Sequence, residues 1–566
     1  MLTLSLILTI KELHLIQVSD LHGWIGGHRH ELNYGDLGTI ESYVGRVREN
    51  ISKNIDATTF FVDGGDICEG TGFSDGTNPR CMYGFQALSN LSLDLTTVGN
   101  HDLGSLETFN YFLENTEQLF GPRMITTNIQ FNGQPLIKNR FKYDVKPNGL
   151  RILSFAFLYM GDHTYNGAEV INQTLTIRTP EIQQIIDEYG PKTDVLVLNC
   201  HIASREKESN EVFWEMRKQF KAKFNYEVPI ILITAHSHQT HTYDCLLEDG
   251  SKDANCYNTE AGCYGRNVMH VVYGYSDIEY TFNGATYKGM KMASRFYFNG
   301  FNNQVSYIDY NTGKDTGLAA RFNKSAAKFE TDRGIELRKQ FQKWETDLGL
   351  NKVIGYSKYK YMKRGLIAEG NSMQRLWMYS VYPNVVYRDD SDAIQYAVSN
   401  TGSIRDNMFI GPIFRDDIYT IMPFPNFIYY FPKMLGEEVN CVVDKLNYPN
   451  NDPSSNPKFL VPYRAEEGKY YDVLSDDYNY PRLAEYFAPC SKRGYNEQHK
   501  VYTPKTVGVT STDQVLKYFV ENYMQNPDKK LYGVSKSNSD LVSEFMWSGF
   551  IICGLIVASV VLAIWK

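Results

Sequence analysis

The chain has 566 residues, of which 43% are hydrophobic and 22% charged, with a formal charge of −8 at pH 7. That length exceeds one ordinary core and predicts two domains, and the composition excludes a disordered chain. A net negative chain without clustered Lys and Arg speaks against a nucleic-acid polymer as partner, since phosphate contacts need both.

Residues 1–10 form an apolar run ending at Lys11. It fits a secretory leader, although no basic stretch precedes it, and fits equally a strand extension or a truncated start. Short apolar runs at 13–18, 58–62, 95–98, 195–198 and 230–234 predict buried strands. A polar cluster follows each: Asp20-Leu21-His22, Gly64-Gly65-Asp66, Gly99-Asn100-His101-Asp102, Asn199-Cys200-His201 and His236-Ser237-His238. Strand ends converge in open α/β sheets, so these side chains are expected to form one site. Any one cluster alone reads as a turn; the ordered set does not. Imidazole and carboxylate together suit divalent metals, and one carboxylate can bridge two ions, which clamp the attacking and leaving oxygens of a phosphoryl displacement. Asp20 and His22, two apart, share a face and suit one cation.

Cys68 and Cys81 flank a Gly-rich loop, and Cys245, Cys256 and Cys263 crowd one polar stretch. Without a Cys-x-x-Cys pair, disulfides in an oxidising compartment are the expected use, with Cys200 a buried free thiol. Asn50, Asn90, Asn172 and Asn323 begin glycosylation sequons, which makes a glycoprotein one expectation. Leu337, Phe341, Trp344 and Leu348 recur at helical spacing in a charged stretch, predicting one amphipathic helix over 328–349. Residues 546–565 carry no charge and have the length of a membrane-crossing helix. A single-pass anchor is therefore expected, with the catalytic domains lumenal or extracellular, at a vacuole or the cell surface.

The motifs DLH, GGD, GNHD, NCH and HSH, in this order, resemble those of the calcineurin-like metallophosphoesterases. Residues 399–405 (SNTGSIR) and 417–426 (DIYTIMPFPN) resemble segments of the 5'-nucleotidase family, as in a fungal-type, membrane-anchored member. The resemblance implies an α/β fold: a four-layer α/β/β/α metallophosphoesterase sandwich over 11–326, a linker helix over 327–350, and a smaller α/β substrate-binding domain over 351–535. A juxtamembrane stretch at 536–545 and the transmembrane helix at 546–565 complete it.

The same resemblance implies two divalent metal ions (Zn, Mn, Co or Mg), with Asp20, His22 and His238 on the first, Asn100, His201 and His236 on the second, and Asp66 bridging. It implies that His101 neutralises charge on the transferring phosphoryl group or protonates the leaving oxygen. The family's partner aspartate lies three residues after that histidine, in NHEFD. Here Gly104 stands there, and Asp102 is taken as its substitute. Asn400, Arg405, Phe424, Asn426 and Tyr478 are implied to bind substrate, with Phe424 and Tyr478 stacking a base. The family's GGDG is absent after Tyr478. The activity implied is release of phosphate from nucleoside monophosphates. The alternatives are cleavage of dinucleotides or nucleotide diphosphate-sugars, a cyclic phosphodiesterase, or a catalytically silent membrane-tethered binding module.

Overall fold

The computed structural model describes residues 10–31, 34–161, 166–307, 312, 314–447, 458–491, 500–506 and 508–525. The chain divides into two compact units, Met1–Gly349 and Leu350–Lys566.

The first unit contains two sheets. In one, Ile10–Val18 pairs in parallel with Ala57–Asp63 and antiparallel with Asn267–Phe282, which Ala285–Asn302 flanks at the edge. In the other, Val195–His201 lies between the parallel strands Arg151–Leu158 and Ile230–Thr234. Thr240–Leu246, Lys252–Ala261 and Phe141–Val145 complete that sheet of six. The parallel strands are buried nearly throughout, as the unbroken apolar runs require. Leu13, Leu15, Phe60 and Val62 of one sheet share a core with Val195, Val197, Ile231 and Ile233 of the other. The far face of the six-stranded sheet is covered by Lys207–Phe224 through Phe213, Met216 and Phe220. Leu37–Ile51 packs beside Ala57–Asp63.

Residue 10 belongs to the first strand, as the strand-extension alternative allowed, and 1–9 lie outside the described residues; one detail differs from the sequence expectation. The run at 95–98 forms only isolated bridges, Val62 to Leu95 and Thr96 to Met124. The cause is local: the Asp94 carboxylate takes the Phe61 N–H at 2.8 Å, a bond a full ladder would give to a neighbouring carbonyl.

The amphipathic helix runs from Asp332 to Asp347 and belongs to the first unit. Gly38 and Gly334 let it approach Leu37–Ile51 closely, since a Cβ on either residue would lie 2.4 Å from the other's carbonyl oxygen. Arg338 fixes the register by bonding Asp36.

The second unit is a sheet ordered Ile394–Ala397, Tyr470–Asp476, Ile428–Leu435, Lys500–Val501. Helices Gly436–Asn447 and Tyr480–Cys490 pack together and are joined by the Cys441–Cys490 disulfide. Trp377, Val381 and Val385 from a π-helical turn form a second core with Leu516, Phe519 and Val520 of Thr512–Tyr523.

The expected membrane anchor is corrected. Among the described residues no helix is long and apolar enough to cross a membrane, and 546–565 lie outside them. The long helix Lys207–Phe224 shows why length alone does not suffice: Lys207, Glu208, Glu211, Glu215, Arg217, Lys218, Lys221 and Lys223 punctuate it. Among the described residues the fold is a mixed α/β chain of two units, and no transmembrane element is among them. The expected membrane, vacuolar and cell-surface placement is corrected to this extent: no described helix supports it.

Candidate metal centre

Parallel pairing aligns the strand ends. Val18 stands opposite Asp63, and His201 opposite Leu158, so Asp20, Asp66 and His201 leave their sheets at one edge. Asp20, His22, Asp66, His236 and His238 all have positive φ, between 46° and 75°. Such conformations at non-glycine residues cluster at functional sites, where surrounding structure over-determines them.

The side chains form two overlapping groups. Asp20, His22 and His238 offer ligand atoms within 4.8 Å of one another, as do Asp66, His201 and His236. Asp66 also falls in a set with His22 and His101, so it stands on both sides of the centre. The tautomers are fixed from behind. His22 Nδ1 donates toward the carbonyls of Cys68 and Glu69 at 2.9 and 2.8 Å, and His201 Nδ1 toward that of Gly64 at 2.8 Å. Each ring thus turns an Nε2 lone pair inward.

Those lone pairs face other acceptors. His22 Nε2 lies 3.1 Å from His238 Nε2, and His201 Nε2 lies 3.1 Å from Asp66 Oδ2. Asp66 Oδ2, Asn100 Oδ1 and His201 Nε2 are buried and make no hydrogen bond. Buried ligand atoms without a hydrogen bond are rare, and the Asp66 and His201 atoms converge, so this donor set fits divalent metal. The electrostatics agree. Burial and the neighbouring Asp66 push the Asp20 carboxyl up to about 8, His201 opposing them. Burial would lower the His201 pKa, yet Asp66 and Asp20 bring it to about 10, so this imidazole sits where positive charge is demanded. Burial and the charge of His201 bring His236 down to about 4, leaving it a neutral donor.

Asp102 is a correction. Its carboxylate accepts the backbone N–H groups of Asp66, Ile67, Cys68 and Gly99 at 2.8 to 3.0 Å, so it ties the Asp66 loop to the Gly99 turn and does not serve His101. Asp102→Ala is expected to cost about 3 kcal/mol of stability or more, each stranded buried N–H costing about 1–3 kcal/mol. A urea unfolding midpoint equal to wild type would show that those amides find other partners. His101 itself meets a residue the sequence reading missed: its Nδ1 lies 2.6 Å from Glu69 Oε1. Glu260, also missed, is fully buried and holds Ser237 through N–H and Oγ at 3.0 and 2.5 Å. It thereby sets the turn between His236 and His238. Its signal was its place at the end of Lys252–Ala261, beside Ile230–Thr234. His28 is buried, stacks on Trp24 and bonds the Tyr264 carbonyl at 2.8 Å.

In the second unit, Asn400 is buried and donates to Asn479 at 2.8 Å. Arg405 lies over the Phe424 ring at 5.2 Å, and Arg482 over that of Tyr478 at 5.7 Å. Tyr478 is 53% exposed, while Phe424 and Asn426 are half-buried. Thr512 anchors the segment, its Oγ1 donating to the Phe424 carbonyl at 2.5 Å and accepting from the Asn426 N–H at 3.3 Å.

Comparison with known proteins follows this geometry. Residues 360–515 match the family model described as NAD nucleotidase, C-terminal domain. An uncharacterized protein of Schizosaccharomyces pombe is 26% identical over 451 residues, covering 74% of this chain and 70% of its own length. A protein of Arthroderma benhamiae named "Secreted protein" is 23% identical over 460 residues, covering 77% and 67%. Among solved structures, the 5'-nucleotidase of Candida albicans superimposes with a TM-score of 0.73 at 20% identity, over 91% of this chain and 98% of the other. The 5'-nucleotidase precursor of Thermus thermophilus does so with 0.54 at 13%, over 92% and 98%. Residues 360–515 are therefore similar to the NAD nucleotidase C-terminal domain, in a chain with the fold of the 5'-nucleotidases.

Proposed function

We propose that this chain is a divalent-metal-dependent phosphohydrolase that releases phosphate from nucleoside monophosphates. The observation that carries this reading is the set of buried, unsatisfied ligand atoms on Asp66, Asn100 and His201, with Asp66 Oδ2 3.1 Å from His201 Nε2 and 3.8 Å from His22 Nε2, itself 3.1 Å from His238 Nε2. Asp20, His22 and His238 would hold one ion, Asn100, His201 and His236 a second, and Asp66 would touch both. When bound, such a pair supplies a hydroxide near neutral pH and neutralises charge on the phosphoryl oxygens.

The chain's own residues do the rest. The carbonyls behind His22 and His201 keep those rings in one tautomer and orientation. The Asp66 carboxylate is held from the other side by the His101 N–H at 2.8 Å, which keeps Oδ2 inward. His101 stands edge-on to His22, with ring centroids 4.9 Å apart, where it can give a proton to the departing oxygen. In the second unit Phe424 and Tyr478 offer faces for a base, and Arg405 a planar cation for phosphate or ribose. The Cys68–Cys81, Cys245–Cys256 and Cys441–Cys490 disulfides support work outside a reducing cytosol, in keeping with the relative named as secreted.

A second reading, cleavage of a dinucleotide at its pyrophosphate, is favoured by the description of the matching C-terminal family. The deciding experiment strips the protein of metal, reloads it with Mn, Zn, Co or Mg, and follows phosphate release from AMP beside AMP release from NAD. Turnover of neither with any metal would overturn both readings.

Phe424→Ala tests the second unit. Stacking contributes roughly 1–3 kcal/mol per base, so KM for AMP should rise about 5- to 100-fold, while p-nitrophenyl phosphate is cleaved nearly as before. Equal loss on both substrates would assign Phe424 to the core.

A further inference from the structure

Gly104 leaves His101 without a carboxylate from its own segment, and the Asp102 carboxylate is taken up by four backbone amides. The carboxylate at His101 comes from elsewhere. The Cys68–Cys81 disulfide closes the loop after Asp66, and the residues just inside that bridge are Glu69 and Arg80. Glu69 Oε1 lies 2.6 Å from His101 Nδ1, and its other oxygen lies 3.9 Å from Arg80 Nη2. Arg80 is held in turn by Asp75 at 2.9 Å. The backbone of Glu69 is fixed as well: its N–H donates to Ser74 Oγ at 2.8 Å and its carbonyl accepts from His22 Nδ1 at 2.8 Å. With φ at 68°, the residue aims its side chain out of the turn that carries His22's support. One residue thus touches two imidazoles, one through its backbone and the other through its side chain.

We propose that Glu69 is the positioning residue for His101. The carboxylate, an ion-pair partner 2.6 Å from Nδ1, orients the ring by its charge, so that charge or a proton reaches the phosphoryl group through Nε2. Arg80 keeps the carboxylate from swinging away, and the disulfide keeps Glu69 and Arg80 abreast. A residue outside the GNHD segment thereby performs what a neighbour on the same turn would otherwise do. This inference rests on the phosphohydrolase reading for its substrate, and on geometry for the pairing.

The test is a double-mutant cycle on the metal-loaded full chain: wild type, Glu69→Gln, His101→Ala and the double variant, with Glu69→Asp as the conservative control. Two quantities are read: AMP turnover, and the affinity for orthovanadate by calorimetry, which needs no turnover. If Glu69 acts through His101, each single variant loses roughly 10- to 100-fold in kcat with KM within about threefold. The double variant then loses little more than His101→Ala alone, in turnover and in vanadate affinity alike. Bound metal stays equal to wild type, and Glu69→Asp recovers part of the loss. Losses that multiply in the double variant, or metal lost from Glu69→Gln, would overturn the proposal, since Glu69 would then be holding the loop. If wild type cleaves no phosphate ester, the substrate reading fails on its own, and the vanadate cycle still decides whether Glu69 and His101 act as one.

Discussion

Asp66→Asn should lose bound metal and turnover together, by at least a hundredfold in kcat, which corresponds to about 2.7 kcal/mol of barrier. The carboxylate is fully buried, its Oδ1 fixed by the His101 N–H at 2.8 Å and its Oδ2 3.1 Å from His201 Nε2. Although burial opposes ionisation, His201 and His101 hold its pKa well below the usual carboxylate range, so it is an anion throughout the working pH range. An amide there removes the negative charge that both groups of ligands share. With Oδ1 still bonded to His101, the amide would also turn N–H bonds toward the ions. Metal content by plasma emission and phosphate release by colorimetry check the outcome. A variant with full metal and near-normal turnover would rule out a bridging role.

Gly99→Ala should be as damaging, by a different route. A Cβ on Gly99 would lie 2.1 Å from Asp66 Oδ1 and 2.6 Å from His201 Cε1. No normal contact is that short, and neither neighbour is free to move. Asp66 is fixed as described, and His201 is clamped by the Gly64 carbonyl. The added methyl must displace the bridging carboxylate or the ring, and ligand displacements of about 1 Å already cost on the order of 100-fold. Turnover should fall at least that far, with weakened metal affinity, whereas the helical content by circular dichroism is unchanged. Gly104→Ala provides the contrast, since a Cβ there meets nothing nearer than 3.4 Å and should be tolerated.

The apolar runs of the sequence located most of the sheet core because a strand buried on both faces has no polar positions to blur the pattern. The polar clusters were legible for a related reason: each stands at or just beyond the end of an apolar run. What local pattern could not supply was partnership across the chain. Asp102 lies beside His101 in sequence, yet its carboxylate belongs to amides more than 30 residues earlier, those of Asp66, Ile67 and Cys68. Glu69 was hidden because its partner is His101, 32 positions on, and only the closed loop from Cys68 to Cys81 brings it there. The order of the motifs made the two groups of side chains that could hold a metal readable; the residues that aim them were set by three-dimensional packing.

The left-handed backbone at Asp20, His22, Asp66, His236 and His238 has a consequence for how this centre can decay over generations. Asp, His and Asn are the side chains that best tolerate that conformation after glycine, so metal chemistry and backbone geometry select the same small alphabet at these positions. A codon change to a β-branched residue is penalised twice, in ligand and in backbone. A change to glycine or asparagine removes or weakens the ligand while relieving or keeping the backbone. Lineages that abandon catalysis on this scaffold should therefore drift toward Gly and Asn at these five positions, keeping the left-handed backbone while losing the ligands.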